Sequence, residues 1–201
     1  MVNGWINAKI HENIVAFWGF EIFSWVLLPL SIFLYLFKYR GITPTYLGLH
    51  GKVNGKENSE YLTSICLLMI FISYPLYLTS NFIAGHIVVP SQPLFLYASV
   101  QPPSPFFKLL TALYYAMTAG IVEELYYRGI FFRIVQKLSH PRIFYLTLSP
   151  ALFAIAHWEQ GIQNILSTWI YGFVFCMFFL RFRNLWPLIL GHIITDFIWF
   201  S

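Results

Sequence analysis

Six ionisable side chains in the second half of the sequence have the types and the spacing that hydrolytic chemistry needs. They are Glu123, Glu124, Arg128, His157, His192 and Asp196. A carboxylate in apolar surroundings suits a general base that takes a proton from water. Two imidazoles and a carboxylate are also a ligand set for Zn²⁺, which leaves one coordination position for the attacking water. Both interpretations of these residues predict hydrolysis.

The spacing of these residues indicates which of them share a helix face. Three pairs are each four residues apart, and residues at this spacing lie on the same side of a helix. The pairs are Glu124 with Arg128, Phe153 with His157, and His192 with Asp196. No Ser or Cys with a neighbouring His and acid stands out among them, so a covalent nucleophile is not expected.

The composition excludes a soluble domain as the scaffold for these residues. The chain has 201 residues, of which 58% are hydrophobic and only 10% are charged, and its mean hydropathy is +0.66. A soluble domain carries about a quarter charged residues, so this chain has too few ionic groups to cover a surface that faces water. Its Lys and Arg side chains are too few and too scattered for a nucleic-acid site. Membrane lipid is therefore the expected surrounding and the first expected partner.

Uncharged windows along the chain predict an all-α fold, a polytopic membrane helix bundle with about six transmembrane helices. A spanning helix needs about 20 mostly apolar residues, and six spans can be placed on the uncharged windows of the chain. They lie near 14–37, 61–84, 106–136, 142–158, 161–180 and 184–200. The segment 85–105 contains five prolines and is predicted to be a loop.

The basic residues are distributed as in a multi-pass membrane protein. Ten of the twelve Lys and Arg side chains lie on one side of the predicted membrane, and only Lys9 and Lys108 lie on the other. Because cytoplasmic loops collect Lys and Arg, this alternation predicts six spans with both termini outside. The first 21 residues lack the features of a cleaved signal, so the first span is expected to be a retained anchor.

Helix rise predicts that the ionisable side chains meet at a similar depth in the membrane. Counted from the basic loops at about 1.5 Å per residue, the depths along the helices are about 20 Å for Glu124, about 21 Å for His157, about 12 Å for His192 and about 18 Å for Asp196. Charged groups inside a membrane are costly, so their convergence on three spans favours a common site over separate packing roles. Glu21 and Glu159 are instead expected at the outer interface, because Trp residues stand close to each.

The order and spacing of these residues resemble the motifs of the CAAX protease and bacteriocin-processing membrane hydrolases, also called the CPBP or Abi family. The three family motifs correspond in order to Glu123, Glu124, Arg128 and Gly129; to Ser149, Phe153 and His157; and to His192 and Asp196, preceded by the run from Leu185 to Pro187. The resemblance implies two parts in the chain. Residues 1–105 would form two N-terminal transmembrane helices and the Pro-rich loop, and residues 106–201 a four-helix catalytic core.

The resemblance further implies an intramembrane endopeptidase that cuts membrane-associated peptides or proteins, including prenylated or C-terminally tagged ones. Glu123 would be the main general base, with Glu124 assisting it and Arg128 orienting the two carboxylates. His157 would hold the attacking water or a metal. His192 and the residue four positions later would stabilise the oxyanion or complete a metal site.

Two mechanisms are open for a chain with this resemblance, one dependent on Zn²⁺ and one in which glutamate acts without a metal. In the first, the predicted metal ligands are Glu123, His157, His192 and Asp196. Asp196 departs from the commoner family pattern, which has Asn at this position. An ionised carboxylate cannot donate a hydrogen bond to an oxyanion as an amide can. Asp196 is therefore predicted either to ligate the metal or to orient His192.

A non-enzymatic membrane protein is the alternative to a hydrolase. The same buried charges would then act as a proton or ion relay, or only in packing. A self-immunity factor against bacteriocins would likewise need no proteolysis. A transporter would be expected to contain interrupted helices and inverted repeats, and the sequence has no internal repeat.

Overall fold

Six apolar helices make up most of the protein as the structure describes it, and they confirm the predicted all-α membrane bundle. The computed structural model describes residues 3–53, 56–57 and 59–201. The six helices are α2 (Ile14–Tyr39), α4 (Ser59–Ile87), α5 (Pro105–Val135), α6 (Pro141–Ile155), α7 (Ile162–Phe182) and α8 (Trp186–Phe200). Shorter elements connect them: α1 (Asn3–Ile10), α3 (Pro44–Leu47), the antiparallel pair β1 (Lys52–Val53) and β2 (Lys56–Glu57), and the 3₁₀ turns Tyr97–Val100 and Trp158–Gln160.

Helix length divides the six helices into two groups. Among the described residues, α2, α4, α5 and α7 have 21 to 31 residues and are long and apolar enough to cross a membrane. Helices α6 and α8 are also apolar but have only 15 residues each. At about 1.5 Å per residue each is about 22 Å long, which is less than the roughly 30 Å of a hydrocarbon core. The protein is an integral membrane protein with four candidate spans and two shorter apolar helices.

Helix α8 lies at the centre of the bundle, where it packs against both α4 and α5, while α7 packs against α4 and α6. Glycines allow close approach along α8. A Cβ atom built at Gly120 of α5 would come within 2.7 Å of the Ile193 side chain of α8. A Cβ atom at Gly191 of α8 would meet Ser73 Oγ of α4. Small residues at such contacts let membrane helices pack backbone to backbone.

Two of the long helices contain a π-helical segment that the hydrophobic pattern does not predict. In α2 the segment is Phe23–Leu27, just before Pro29. Proline has no N–H, and its ring clashes with the carbonyl four residues earlier, which explains why the backbone widens there. In α5 the segment is Glu124–Ile130, and it carries part of the predicted site. Such π segments within α-helices are frequent at functional sites.

Three basic connections meet at one end of the bundle, which we call the basic end. They are the α2–α4, α5–α6 and α7–α8 connections. The Arg133 guanidinium carbon lies 4.1 Å from the centre of the Tyr46 ring, and that of Arg183 lies 4.2 Å from the centre of the Phe132 ring. These two cation–π contacts join the last turn of α5 to the α2–α4 and α7–α8 connections.

The opposite end of the bundle, which we call the far end, holds α1, the segment between α4 and α5, and the turn Trp158–Gln160. The backbone N–H of Leu94 donates to the Glu159 carbonyl oxygen over 2.7 Å. The Gln101 side-chain amide donates to the Phe200 carbonyl oxygen over 2.8 Å. The Pro-rich segment predicted to be a loop is therefore hydrogen-bonded to the turn Trp158–Gln160 and to the end of α8.

Candidate active site

Helix α5 around its π segment, the turn after α6, and helix α8 position the six predicted site residues. Glu123 is the last residue before the π segment, which itself contains Glu124 and Arg128. The other three are His157, just after α6, and His192 and Asp196, both on α8.

Arg128 and Glu124 form an ion pair that is sealed from solvent. Arg128 Nη1 donates to Glu124 Oε1 over 2.9 Å, and both side chains are fully buried. Arg128 Nη2 lies 3.5 Å from the Gly172 carbonyl oxygen of α7, and the guanidinium carbon lies 4.4 Å from the centre of the Phe153 ring of α6. A Cβ atom at Gly172 would lie 3.3 Å from Arg128 Nη2 and 2.9 Å from Phe153 Cδ1. The ion pair thus joins α5 to α6 and α7, and it needs glycine at residue 172.

His192 connects this ion pair to two further carboxylates. Its Nδ1 donates to Glu124 Oε1 over 2.8 Å, because an ionised carboxylate can only accept. Its Nε2 lies 3.7 Å from Glu123 Oε2 and 3.6 Å from Asp196 Oδ2. Both distances are longer than a hydrogen bond. The imidazole is therefore held at one nitrogen, while the other nitrogen faces two carboxylates without being bonded to them.

His157 lies in a turn and not in the predicted helix. Helix α6 ends at Ile155, so the predicted span 142–158 is too long; the chain turns there and passes through Gly161, whose φ is +91°. The Nδ1 atom of His157 lies 2.9 Å from the Phe153 carbonyl oxygen. Since a carbonyl can only accept, Nδ1 carries the proton of this bond. In the neutral ring Nε2 is then an acceptor.

Four of the six predicted residues line a single cavity of about 520 Å³. We call these four the cavity face: Glu123, His157, His192 and Asp196. Glu124 and Arg128, which we call the sealed pair, are not part of the described cavity wall. Much of the remaining wall is aromatic and includes Tyr171, whose hydroxyl lies 3.1 Å from Thr195 Oγ1. The predicted site therefore consists of a group that faces the cavity and a pair that does not.

The comparison with protein-family models agrees with this arrangement. The model described as "Type II CAAX prenyl endopeptidase Rce1-like" matches residues 105–198. This match, over somewhat less than half of the chain, makes residues 105–198 similar to the Rce1-like family. No curated protein and no solved structure matches the chain. The resemblance to the CAAX protease family is confirmed, and the Rce1-like segment contains all six predicted site residues.

The Rce1-like segment does not enclose the cavity by itself. Residues of α2, including Phe20 and Glu21, line the cavity, as do Tyr77 of α4 and Tyr97 of the following 3₁₀ turn. Helix α2 is otherwise largely exposed, since only 17% of its most apolar window is buried within the protein. The region before residue 105 thus contributes wall residues to a cavity whose chemical groups come from the Rce1-like segment.

Two carboxylates that were expected at the outer interface lie in this cavity instead. Glu21 and Glu159 are only 1% and 6% exposed, and both line the wall. The Asn7 amide of α1 donates to Glu21 Oε1 over 2.6 Å. Burial raises the pKa of Glu159, and nearby His157 opposes this shift. The prediction was wrong because nearby Trp residues indicated an interface, whereas α1 and the Pro-rich segment cover this region.

The cavity face does not fit the predicted zinc site. No group of three or more His, Cys, Asp and Glu side chains in the described part of the chain is arranged to hold a metal ion. Zinc requires its ligand atoms about 2.0–2.2 Å from one point, and the bond from His192 Nδ1 to Glu124 leaves Nε2 as the nitrogen that the ring could offer. Among the described residues, Glu123, His157, His192 and Asp196 are thus not arranged as a metal site. Zn²⁺ stays a prediction of the sequence.

Proposed function

We propose that the protein is an intramembrane endopeptidase that hydrolyses peptide bonds of membrane-associated substrates. The observation that carries this proposal is the cavity of about 520 Å³ lined by Glu123, His157, His192 and Asp196. The family match over residues 105–198 supports the same class of enzyme. A cavity among apolar helices suits a substrate with a lipid anchor or an apolar tag, such as a prenylated or C-terminally tagged peptide.

Glu123 is the general base of the proposed reaction. Its Oε2 atom is buried and has no hydrogen-bond partner among the described residues, so it is available to a water molecule. Glu123 takes one proton from this water while the water oxygen bonds to the carbonyl carbon of the scissile peptide. Glu123 then gives the proton to the amide nitrogen, and the C–N bond breaks. The products are a free carboxylic acid and a free amine.

The two imidazoles of the cavity face act on the water and on the carbonyl oxygen. His157 accepts a hydrogen bond from the attacking water at Nε2, because its Nδ1 is bonded to the Phe153 carbonyl. His192 in its imidazolium form, with Nδ1 bonded to Glu124 and three carboxylates around the ring, donates its Nε2–H to the oxygen on which negative charge develops, and a donor placed there stabilises the transition state. Asp196, with Oδ2 3.6 Å from this nitrogen, helps to orient the imidazole.

Glu124 and Arg128 are positioning residues in this proposal. Glu124 is hidden from the cavity, and its Oε1 accepts from both Arg128 and His192. A proton shuttle through Glu124 would need contact with the water, which the sealed pair lacks. The carboxylate instead holds the His192 ring at one angle, and Arg128 holds the carboxylate.

The substitution Glu123→Gln tests this function, because it keeps the size of the side chain and removes the base. In vesicles that contain a membrane-anchored fluorogenic peptide, cleavage is expected to fall about 10²- to 10⁴-fold. The unfolding temperature in detergent is expected to stay the same, since Glu123 makes no close hydrogen bond to His192. Glu60→Gln, on an exposed residue of α4 at the basic end, is the matched control and should cleave like the wild type.

Two results would refute parts of the proposal. Wild-type rates in Glu123→Gln would remove Glu123 as the base. Failure of the folded wild-type protein to cleave any anchored peptide would refute the endopeptidase and favour the proton or ion relay, which proton flux across the same vesicles would detect.

A further inference from the structure

The far end of the cavity carries chemical groups that the proposed reaction does not use. Two carboxylates and three aromatic rings line the wall there, and we call them the far-end subsite. Its members are Glu21, Glu159, Tyr97, Tyr115 and Phe200. They come from α2, the turn after His157, the turn before α5, α5 itself and the end of α8. Only Tyr115, Glu159 and Phe200 follow residue 104, so α2 and the Pro-rich segment help to form the subsite.

The three aromatic rings of the far-end subsite contact one another. The ring centres of Tyr97 and Tyr115 are 5.0 Å apart, those of Tyr97 and Phe200 are 5.5 Å apart, and those of Tyr115 and Phe200 are 5.1 Å apart. Trp18 stacks against Tyr115 at 5.8 Å between ring centres. Clustered aromatic faces attract cations through their quadrupoles, and the attraction is strongest where water is excluded.

Two buried polar atoms of the subsite have no hydrogen-bond partner in the described part of the chain. They are Glu159 Oε2 and the Tyr115 hydroxyl, on residues that are 6% and 4% exposed. A buried polar atom without a partner costs free energy. Burial raises the pKa of Tyr97 well above its ordinary value, and the nearby charges of Glu21 and Glu159 raise it further. Both carboxylates line the same cavity wall as this phenol and its cluster of rings.

The charges along the cavity wall favour a positive ligand. The described wall contains four carboxylates and two imidazoles, but neither Lys nor Arg. Glu123 and Asp196 face His192, which leaves Glu21 and Glu159 as the carboxylates of the far end. An ammonium or guanidinium group placed there would meet the unpartnered oxygen of Glu159 and the faces of three rings.

We propose that the far-end subsite binds a basic side chain of the peptide substrate, Lys or Arg, close to the scissile bond. The inference rests on the proposed endopeptidase function, because it takes the occupant of the cavity to be a peptide. Glu159 is two residues from His157 and lines the same cavity, so a peptide whose carbonyl lies at the cavity face brings its neighbouring side chains to the subsite. Basic residues beside the scissile bond are thus a specificity determinant of this chain.

A set of anchored peptides tests this specificity. The peptides are identical except that Lys, norleucine or Glu stands at one of the three positions on either side of the scissile bond. At one of these positions, the wild-type protein is expected to cleave the Lys peptide with a kcat/KM about tenfold higher than the norleucine peptide. The Glu peptide is expected to be the poorest substrate, because like charges repel.

Variants of Glu159 connect the preference to the subsite. Glu159→Gln is expected to reduce the ratio of Lys to norleucine cleavage to near unity, and Glu159→Lys to reverse it in favour of the Glu peptide. Glu12→Gln is the matched control, since Glu12 is an exposed carboxylate at the same end of the protein and should leave the ratio unchanged. An unchanged ratio in both Glu159 variants would overturn the inference.

Binding measured separately from cleavage keeps the two proposals distinguishable. The dissociation constants of the Lys and norleucine peptides are measured on the Glu123→Gln protein by isothermal titration in detergent. Tighter binding of the Lys peptide, weakened when Glu159→Gln is added, supports the subsite. If the subsite binds in this way but the wild-type protein cleaves nothing, only the endopeptidase proposal fails. Equal binding of the two peptides overturns the subsite, whatever the cleavage rates.

Discussion

Glu123 and Glu124 are neighbours in the sequence, but they belong to two regions with opposite surroundings. Glu123 lines the cavity, whereas Glu124 is fully buried within the sealed pair. Successive residues of a helix point about 100° apart, so one pair of adjacent carboxylates faces two environments. A single motif can therefore provide both the proposed general base, Glu123, and the carboxylate of Glu124 that holds His192 in position.

The two regions also differ in how their polar atoms are bonded. On the sealed side, Oε1 of Glu124 accepts from both Arg128 and His192, at 2.9 Å and 2.8 Å, although Glu124 Oε2 and Arg128 Nε have no hydrogen-bond partner among the described residues. On the cavity face, Oε2 of Glu123 has no hydrogen-bond partner among the described residues, and Nε2 of His192 has no carboxylate oxygen closer than 3.6 Å. Substitutions on the sealed side are therefore expected to change stability first, and substitutions on the cavity face to change catalysis first.

The largest effect on stability is expected from Arg128→Met, which removes one partner of the sealed pair and leaves Glu124 buried without its cation. Breaking a buried ion pair in this way costs about 3–5 kcal/mol. Unfolding in detergent, followed by circular dichroism against denaturant, measures the loss. Arg142→Met changes an exposed arginine at the start of α6 and should have little effect. Equal stability of the two variants would show that the pair does not hold the bundle together.

A smaller loss of stability is expected from Gly172→Ala, because the added Cβ would press on Phe153 and on the Arg128 guanidinium. Overpacking of this kind costs about 1–3 kcal/mol, although Ala is the better helix former. The same denaturation experiment measures it. Gly19→Ala in α2 is the control, since a Cβ atom there would meet nothing within 4 Å. If Gly172→Ala matched Gly19→Ala in stability, the close contact around Arg128 would be refuted.

A mild change in catalysis is expected from Asp196→Asn on the cavity face. The amide keeps the size of the side chain, and the carboxylate it replaces makes no hydrogen bond to His192 at 3.6 Å. We expect kcat to stay within about tenfold of the wild type, which corresponds to about 1.4 kcal/mol, while the unfolding temperature stays unchanged. A loss as large as that of Glu123→Gln would instead assign Asp196 to the chemical step.

The smallest effect is expected from metal removal. Since the cavity face does not fit a zinc site, cleavage is expected to continue after treatment with 1,10-phenanthroline, and metal analysis of the purified protein is expected to find substoichiometric zinc. Stoichiometric zinc, together with loss of activity on chelation and recovery on adding zinc, would contradict this. That result would support the four zinc ligands predicted from the sequence and a metal-dependent reaction at the cavity face.

The positions of the helices could be predicted from the sequence because lipid leaves the backbone few choices. Each uncharged window predicted as a span coincides with a helix, as 61–84 does with α4 and 161–180 with α7. A chain in hydrocarbon must satisfy its backbone hydrogen bonds internally, so hydropathy alone indicates helix. The depth argument places Glu124, His157 and Asp196 at a similar level, because helix rise converts residue number into depth.

What the sequence could not predict depends on local backbone geometry and on distant segments. The π segment at Glu124–Ile130 has no hydrophobic signature, because one extra residue in a turn does not change the composition. The turn that carries His157 outside α6 depends on Gly161, whose left-handed φ is not evident from spacing. The burial of Glu21 and Glu159 depends on α1 and the Pro-rich segment folding over them. The available signal was that each carboxylate interrupts an otherwise uncharged apolar stretch.

The two shortest helices of the bundle, α6 and α8, also have a consequence for the surrounding bilayer. Their hydrophobic length is less than the hydrocarbon thickness, and such a mismatch is relieved by thinning of the adjacent membrane or by headgroups drawn inward. His157 follows one of these helices, and His192 lies on the other. The hydrolytic water would then cross less hydrocarbon beside these helices than elsewhere around the protein, so bilayer thickness itself becomes a variable that tunes the rate.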